Sequence, residues 1–173
     1  MNKVRKMTLT SVIIAVTTLT SNIVYIPVGF AKLFPIQHLT NLLTAILLGP
    51  TYSVAQAFIV SFIRNLTGTG SIFAFPGSMI GAFLSGYLYK KTKKLIWAFS
   101  GEVIGTGIIG AIATYPIATF LLGKETAIFG FVPTFFVSSF AGAIIGIVLM
   151  SILLKNQTIG GMIRENSINN RRF

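Results

Sequence analysis

Long apolar runs, separated by short polar or glycine-rich breaks, dominate the chain. A helix that crosses the hydrocarbon core of a bilayer needs about 20 predominantly apolar residues. Six runs are compatible with such helices, although the second and fourth are short for an untilted crossing. We expect the helices at about 7–28, 38–48, 51–66, 77–90, 95–122 and 126–154. A polar tail follows at 155–173, and the absence of a linker predicts a single domain.

The breaks between the runs have the composition of turns and loops. GPT at 49–51 separates the second run from the third, because glycine ends helices and proline cannot continue them. Two longer breaks, GFAKLFPIQ at 29–37 and RNLTGTGSIFAFPGS at 64–78, fall on the same side of the predicted bundle. KKTKK at 90–94 closes the fourth run, and Pro116 is expected to bend the fifth.

The composition favours an integral membrane protein over any soluble class. Of the 173 residues, 53% are hydrophobic and 10% are charged, with a mean hydropathy of +0.81. Soluble domains carry about 25% charged residues, and disordered chains have low hydrophobicity. Cysteine is absent, which excludes thiolate chemistry and cysteine-based metal sites.

The positions of lysine and arginine predict that both termini lie in the cytoplasm, because short inner loops carry an excess of these residues. In this orientation the outer side holds only Lys32, Arg64 and Lys124 of the 14 basic residues. The inner side holds Lys3, Arg5, Lys6, Lys90, Lys91, Lys93, Lys94, Lys155, Arg164, Arg171 and Arg172. The net charge of +11 therefore needs no nucleic-acid partner, and no basic face carries the interleaved aromatic residues of a nucleic-acid site.

The first run starts like a signal peptide, with basic residues before an apolar stretch. Repeated threonines dilute that stretch and no A-x-A-like cleavage site closes it, so we expect a retained helix. Ser11 and Ala15 are four residues apart and share one face of this helix. Small residues at this spacing fit either packing inside the bundle or docking on a second membrane protein.

Three other runs carry small residues at G-x-x-x-G spacing, which lets helix backbones approach closely in lipid. The pairs are Gly77 with Gly81, Gly101 with Gly105, and Gly142 with Gly146. We expect these pairs to pack the helices of one bundle, with oligomerisation as the alternative.

Polar residues inside the apolar runs are the candidates for chemistry, since an unpaired polar group in hydrocarbon is costly. Glu102 is the one acid within a run, and Thr106 lies one turn further along the same face. Glu102 either pairs with a buried base or hydroxyl or binds a ligand. Gln37, His38 and Asn41 cluster at the outer end of the second run. No second histidine or carboxylate lies near them in sequence, so no metal site is predicted.

The stretch from 64 to 78 predicts irregular backbone at the outer membrane face. Such backbone is tolerated only where protein or a water-filled cavity covers it. Arg64 either reaches the headgroups or orders the loop and binds a ligand. The glycines do not follow a phosphate-loop or dinucleotide pattern, and no catalytic arrangement is present, so an enzyme is disfavoured. The free backbone N–H and C=O groups of the stretch, with Phe73 and Phe75 beside them and Ser78 at its end, suit one wall of a small-ligand pocket.

Four strings together resemble the ThiW family of substrate-binding (S) components of energy-coupling factor (ECF) vitamin transporters. They are FPIQH at 34–38, RNLTGTGS at 64–71, AFPGSMIGA at 74–82 and GEVIGTGIIGA at 101–111, and the resemblance covers nearly the whole chain. It implies a compact six-helix, multi-pass protein of the bacterial or archaeal cell membrane, without a cofactor. The implied function is high-affinity uptake of the thiamine precursor 4-methyl-5-(2-hydroxyethyl)thiazole.

The resemblance also implies partners and site residues. The subunit captures its substrate outside, docks on a membrane coupling subunit driven by two ABC ATPases, and releases substrate inside. The A-x-x-x-A docking motif of the family corresponds to Ser11 and Ala15, and the serine is a departure that stays small. The expected substrate-binding residues are Phe34, Gln37, His38, Asn41, Arg64, Asn65, Phe73, Phe75, Ser78, Glu102, Thr106 and Tyr115.

Two alternatives to this function are kept. The first is an S component for another thiamine-related or vitamin substrate. The second is a self-sufficient secondary carrier, which would need an ion-coupling site and usually an internal repeat. We find no convincing repeat and a single acid within the runs, which disfavours the carrier.

Overall fold

The fold was obtained as a computed structural model, which describes residues 1–28, 31–123, 127–156 and 160–161. Within them the main helices are α1 (Lys3–Ile23), α2 (Pro35–Leu48), α3 (Pro50–Leu66), α4 (Ala74–Thr92), α5 (Leu95–Leu121) and α6 (Val132–Lys155). Two short strands, β1 (Ile26–Val28) and β2 (Ala31–Leu33), pair antiparallel between α1 and α2, with Ile26 opposite Leu33. The expected six-helix membrane bundle is confirmed, and the small hairpin is an addition to it.

Local sequence signals explain where the helices start. The Asn2 side chain accepts a 2.9 Å hydrogen bond from the Arg5 N–H and caps α1. Pro35 and Pro50 occupy the first positions of α2 and α3, where a missing N–H costs nothing. Gly49 joins these two helices with a φ of +94°, a conformation that other residues rarely adopt.

Several predicted boundaries differ from the observed ones, and the largest differences are at the end of the first helix and the start of the last. The first helix ends at Ile23 rather than 28, because Pro27 disfavours helix at and before its own position. The last helix starts at Val132 rather than 126, with Pro133 in its first turn; residue 126 itself lies outside the described residues. α5 continues through Pro116, and two π-helical segments, 105–110 and 117–121, widen it.

The glycine pairs pack helices of the bundle against one another, as expected. A Cβ on Gly105 would lie 2.7 Å from the Cα of Gly81, so α5 and α4 touch backbone to backbone. Gly101 meets the backbone N of Ser85 in the same way, at 2.6 Å. Gly142 places α6 directly against the start of α2. These contacts exclude larger side chains and explain the spacing.

Lipid is the natural surrounding of this bundle. α5 and α6 are each long and apolar enough to cross a membrane. Large apolar side chains such as Phe120 and Ile152 project outward from them. We call the end that carries the hairpin and residues 67–73 the loop end, and the end that carries Lys90–Lys94 the lysine end.

The length of α2 creates an opening at the loop end. Its 14 residues span about 21 Å, less than the hydrocarbon core of about 30 Å. Gly86 of α4 packs against Pro50, so the C-terminal end of α2 lies towards the lysine end. The start of α2 therefore lies below the loop end, and the space above it is available for a cavity.

Candidate ligand-binding site

A cavity of about 770 Å³ lies at the loop end of the bundle, above the start of α2. Its described lining comes from the hairpin side, α2, the segment between α3 and α4, and the beginning of α6. The lining residues are Tyr25, Phe34, Gln37, His38, Arg64, Gly68, Thr69, Gly70, Ser71, Phe73, Ala74, Ser78, Gly130, Phe131, Thr134, Phe135 and Ser138. This volume falls in the usual range of small-molecule sites, about 300–1,000 Å³.

A hydrogen-bonded chain of defined direction runs along one side of the cavity. Arginine only donates, so Arg64 Nη1 donates to Gln37 Oε1 at 2.6 Å, which fixes the orientation of that amide. Gln37 Nε2 then donates to Ser61 Oγ at 3.0 Å. Ser78 Oγ donates to the carbonyl of Ala74, and it therefore accepts from Ser61 at 3.1 Å. Each of these buried side chains is positioned by its neighbour.

Arg64 also holds together the loop that follows α3. Its Nη2 donates to the carbonyl of Thr69 at 3.1 Å, while the N–H groups of Thr69 and Gly70 donate back to the carbonyl of Arg64. Gly68 has a φ of +71°, and a Cβ on Gly70 would lie 2.9 Å from the Cβ of Arg64. The glycines of the 64–78 stretch therefore let the loop fold back over the arginine.

A carboxylate lies directly beneath the cavity. Glu102 Oε1 lies 3.0 Å from His38 Nδ1, 3.2 Å from Asn41 Nδ2 and 3.3 Å from Thr106 Oγ1. Asn41 Nδ2 also donates to the carbonyl of Ser78, which fixes its amide. Because a carboxylate oxygen accepts, we assign the proton of the contact with His38 to Nδ1. Nε2 of His38 is then the edge of the ring available to the cavity.

Aromatic rings form the remaining walls. Phe34 covers one face of the Arg64 guanidinium, with 4.0 Å between Cζ and the ring centroid. Phe73 and Phe131 contact each other with centroids 4.9 Å apart, and Phe131 meets Phe135 edge to face at 6.3 Å. Such an environment suits a flat heteroaromatic ligand.

The structure places the twelve expected binding residues in three groups. Phe34, Gln37, His38, Arg64, Phe73 and Ser78 line the cavity. Asn41, Glu102 and Thr106 lie just beneath it and are fully buried.

The last three expected residues lie outside the described lining. Asn65 braces the loop by donating to the carbonyl groups of Ser61 and Ser71. Phe75 packs against Phe58, with centroids 5.6 Å apart. Tyr115 lies half-buried on α5.

The beginning of α6 contributes residues that sequence reasoning missed. Thr134, Phe135 and Ser138 line the cavity, and Ser138 Oγ accepts a 3.0 Å hydrogen bond from the Phe34 N–H. Placing the start of this helix at 126 hid their position at its outer end. The spacing of Phe131, Thr134, Phe135 and Ser138 on one helical face was the available signal.

The two small residues expected on the docking face are exposed. Ser11 and Ala15 lie on the outer side of α1, whereas Thr10, Ile14 and Thr17 face the bundle. No group of three or more metal-ligating side chains comes together in the described residues.

The described residues thus form the apolar helical bundle of a membrane protein, with a polar, aromatic-walled cavity at its loop end. The chain belongs to the ThiW family: the family model described as "Thiamine-precursor transporter protein (ThiW)" matches residues 7–156. It is therefore a member of a transporter family for thiamine precursors. No curated protein and no solved structure matches the chain.

Proposed function

We propose that this protein is the substrate-binding subunit of an ECF-type ABC importer and captures 4-methyl-5-(2-hydroxyethyl)thiazole. The main observation in support of this proposal is the cavity. Phenylalanines line it together with the imidazole of His38, and the buried Glu102 holds that ring in place. Membership of the thiamine-precursor transporter family supports a thiamine precursor as the ligand.

The cavity offers a complementary partner to each part of the thiazole alcohol. Its flat ring stacks on the phenylalanine walls, chiefly Phe73 and Phe131. Its hydroxyl group can donate to Nε2 of His38. It can instead accept from the hydroxyl of Ser138, because the Ser138 oxygen accepts from the Phe34 N–H and its proton remains to donate. Orientation of the ligand then follows from the polar floor below and the aromatic walls around it.

In this proposal the protein crosses the membrane six times with both termini in the cytoplasm. The lysine end faces inward and the loop end faces outward, in accord with the positive-inside rule. The cavity then opens to the outside of a bacterial or archaeal cell, where the substrate is captured.

Binding to the purified protein tests the substrate assignment. Calorimetry with the hydroxyethyl thiazole, thiamine and hydroxymethylpyrimidine is expected to give tight binding of the thiazole alone. If thiamine or hydroxymethylpyrimidine bound tightly and the thiazole did not, the assignment as a substrate-binding subunit would stand and the thiazole assignment would be wrong. Binding of none of the three would overturn the proposal.

The partners are a membrane coupling subunit and two ABC ATPases, and the outer face of α1 is the proposed docking surface. Ser11 and Ala15 form a small-residue stripe there, and the absence of bulky side chains at both positions allows a second helix to approach.

Replacing Ala15 by tryptophan is expected to abolish thiazole uptake while leaving ligand binding by the purified subunit intact, because the ring would hold the coupling subunit away. Val16→Trp is the matched control, since Val16 is also exposed on α1 but points about 100° away. Uptake and copurification of the coupling subunit are measured for both variants. Equal uptake by Ala15→Trp and the wild type would rule out this surface.

A further inference from the structure

We propose that the cavity contains an anion subsite centred on Arg64, and that the protein also binds the phosphate monoester of the thiazole alcohol. This inference rests on the proposed function, because it takes the thiazole as the part of the ligand held by the aromatic walls. It adds a second, charged form of the substrate that the uptake of the neutral alcohol does not require.

The first observation is a buried cation that has no counter-ion among the described residues. Arg64 is 2% exposed, and its hydrogen bonds go to neutral acceptors, the amide oxygen of Gln37 and the carbonyl of Thr69. Its Nε is buried without a partner in the described part of the chain. A buried charge that lacks an opposite charge is strongly unfavourable. An anionic ligand group at the cavity wall would supply that charge.

The second observation is that Glu102 does not neutralise Arg64. It is the one acidic residue among those described, and its bonded oxygen already accepts from His38, Asn41 and Thr106. The imidazole of His38 lies between this carboxylate and the cavity. The described lining consequently includes a guanidinium and an imidazole but no carboxylate.

The third observation is the helix end that faces the same space. Gly130, Phe131 and Thr134, around the first turn of the 24-residue α6, line the cavity. No side chain in the described part of the chain caps this helix start. A helix N-terminus carries about half a positive charge and favours anions. Two positive features on different elements, Arg64 and this terminus, thus point into one cavity.

The cavity also has room for the larger ligand. Its volume of about 770 Å³ is that of a site for a drug-sized molecule, whereas the thiazole alcohol is a single small ring with one short arm. Nη1 and Nη2 of Arg64 each keep a second hydrogen beyond their bonds to Gln37 and Thr69. A phosphate oxygen would accept these hydrogens in charge-assisted bonds, which are the strong ones.

Affinity ratios measured by calorimetry on the full chain in detergent test the subsite. For the wild type, we expect the monoester to bind at least about tenfold more tightly than the alcohol, as charge-assisted hydrogen bonds allow. In Arg64→Gln both ligands weaken because the loop loosens, but the ratio is expected to fall to about one or below. Arg64→Lys keeps the charge without the planar fork and is expected to retain an intermediate ratio.

The ratio separates the anion subsite from a purely structural arginine. A structural role would weaken both ligands equally in Arg64→Gln, leave the ratio unchanged and overturn the inference. Tighter binding of the alcohol than of the monoester by the wild type would also overturn it, while the proposed function would survive. Binding of neither ligand would reject both.

Discussion

Replacing Glu102 by leucine is expected to abolish ligand binding and to lower the thermal stability of the purified protein. The carboxylate is fully buried and accepts from His38, Asn41 and Thr106. Without it, the imidazole of His38 loses the acceptor that orients it, whereas Asn41 and Thr106 keep the carbonyl groups of Ser78 and Gly77 as acceptors. Removing one member of a buried pair costs about 3–5 kcal/mol of folding stability. Ligand binding is expected to be lost because His38 would no longer be held towards the cavity.

Glu102→Gln is the matched control for this variant. It preserves the shape and an acceptor oxygen at the Oε1 position, and it places its amide nitrogen where Oε2 has no partner in the described residues. We expect it to retain measurable binding and most of the stability. Calorimetry and thermal unfolding in one detergent compare the three proteins. Unchanged affinity in Glu102→Leu would show that the carboxylate does not position His38.

Replacing Gly142 by alanine is expected to separate α6 from α2 and to damage the cavity. An added Cβ would collide with the carbonyl oxygen of Pro35 and lie 2.8 Å from the Cβ of His38. Neither atom can rotate away, because one is backbone and the other is fixed to it. Overpacking of this kind costs about 1–3 kcal/mol, which lowers the melting temperature by several degrees for a chain of this size.

Gly146→Ala tests the same helix one turn away. Its added Cβ would lie 3.0 Å from Leu42 Cδ2, the end of a flexible side chain that can shift. We expect a smaller loss of stability and little change in ligand affinity. Thermal unfolding and thiazole binding of both variants provide the comparison. Equal effects of the two substitutions would contradict the close contact between Gly142 and the start of α2.

The helices themselves follow from local rules. Apolar runs, the GPT break, the prolines at helix starts and the glycine pairs together specify a six-helix membrane bundle with tight internal packing. Boundaries were less accurate where a proline could either interrupt a helix or begin one. Pro133 lies in the first turn of α6. Pro116 lies within α5, directly before the π-helical segment at 117–121.

The site was only partly predictable. The cluster of Gln37, His38 and Asn41, and Arg64 separately, were found from polar residues at the ends of apolar runs. Glu102 was also identified, but the sequence left open whether it pairs with a buried group or binds a ligand, and the resulting conflict concerned its partner. The short α2 resolves this conflict, since it brings His38 down to the level of Glu102, 64 residues further along the chain.

Local patterns in this chain therefore specify the six helices, the small residues that pack them and the polar groups that need a partner inside lipid. They act over three or four residues, through helix geometry, backbone restriction and the cost of dehydration. The pairing of His38 with Glu102, the chain from Arg64 to Ser78 and the wall from α6 join residues far apart in sequence. Those contacts depend on helix lengths and on close glycine packing, which set the relative depth and rotation of whole helices.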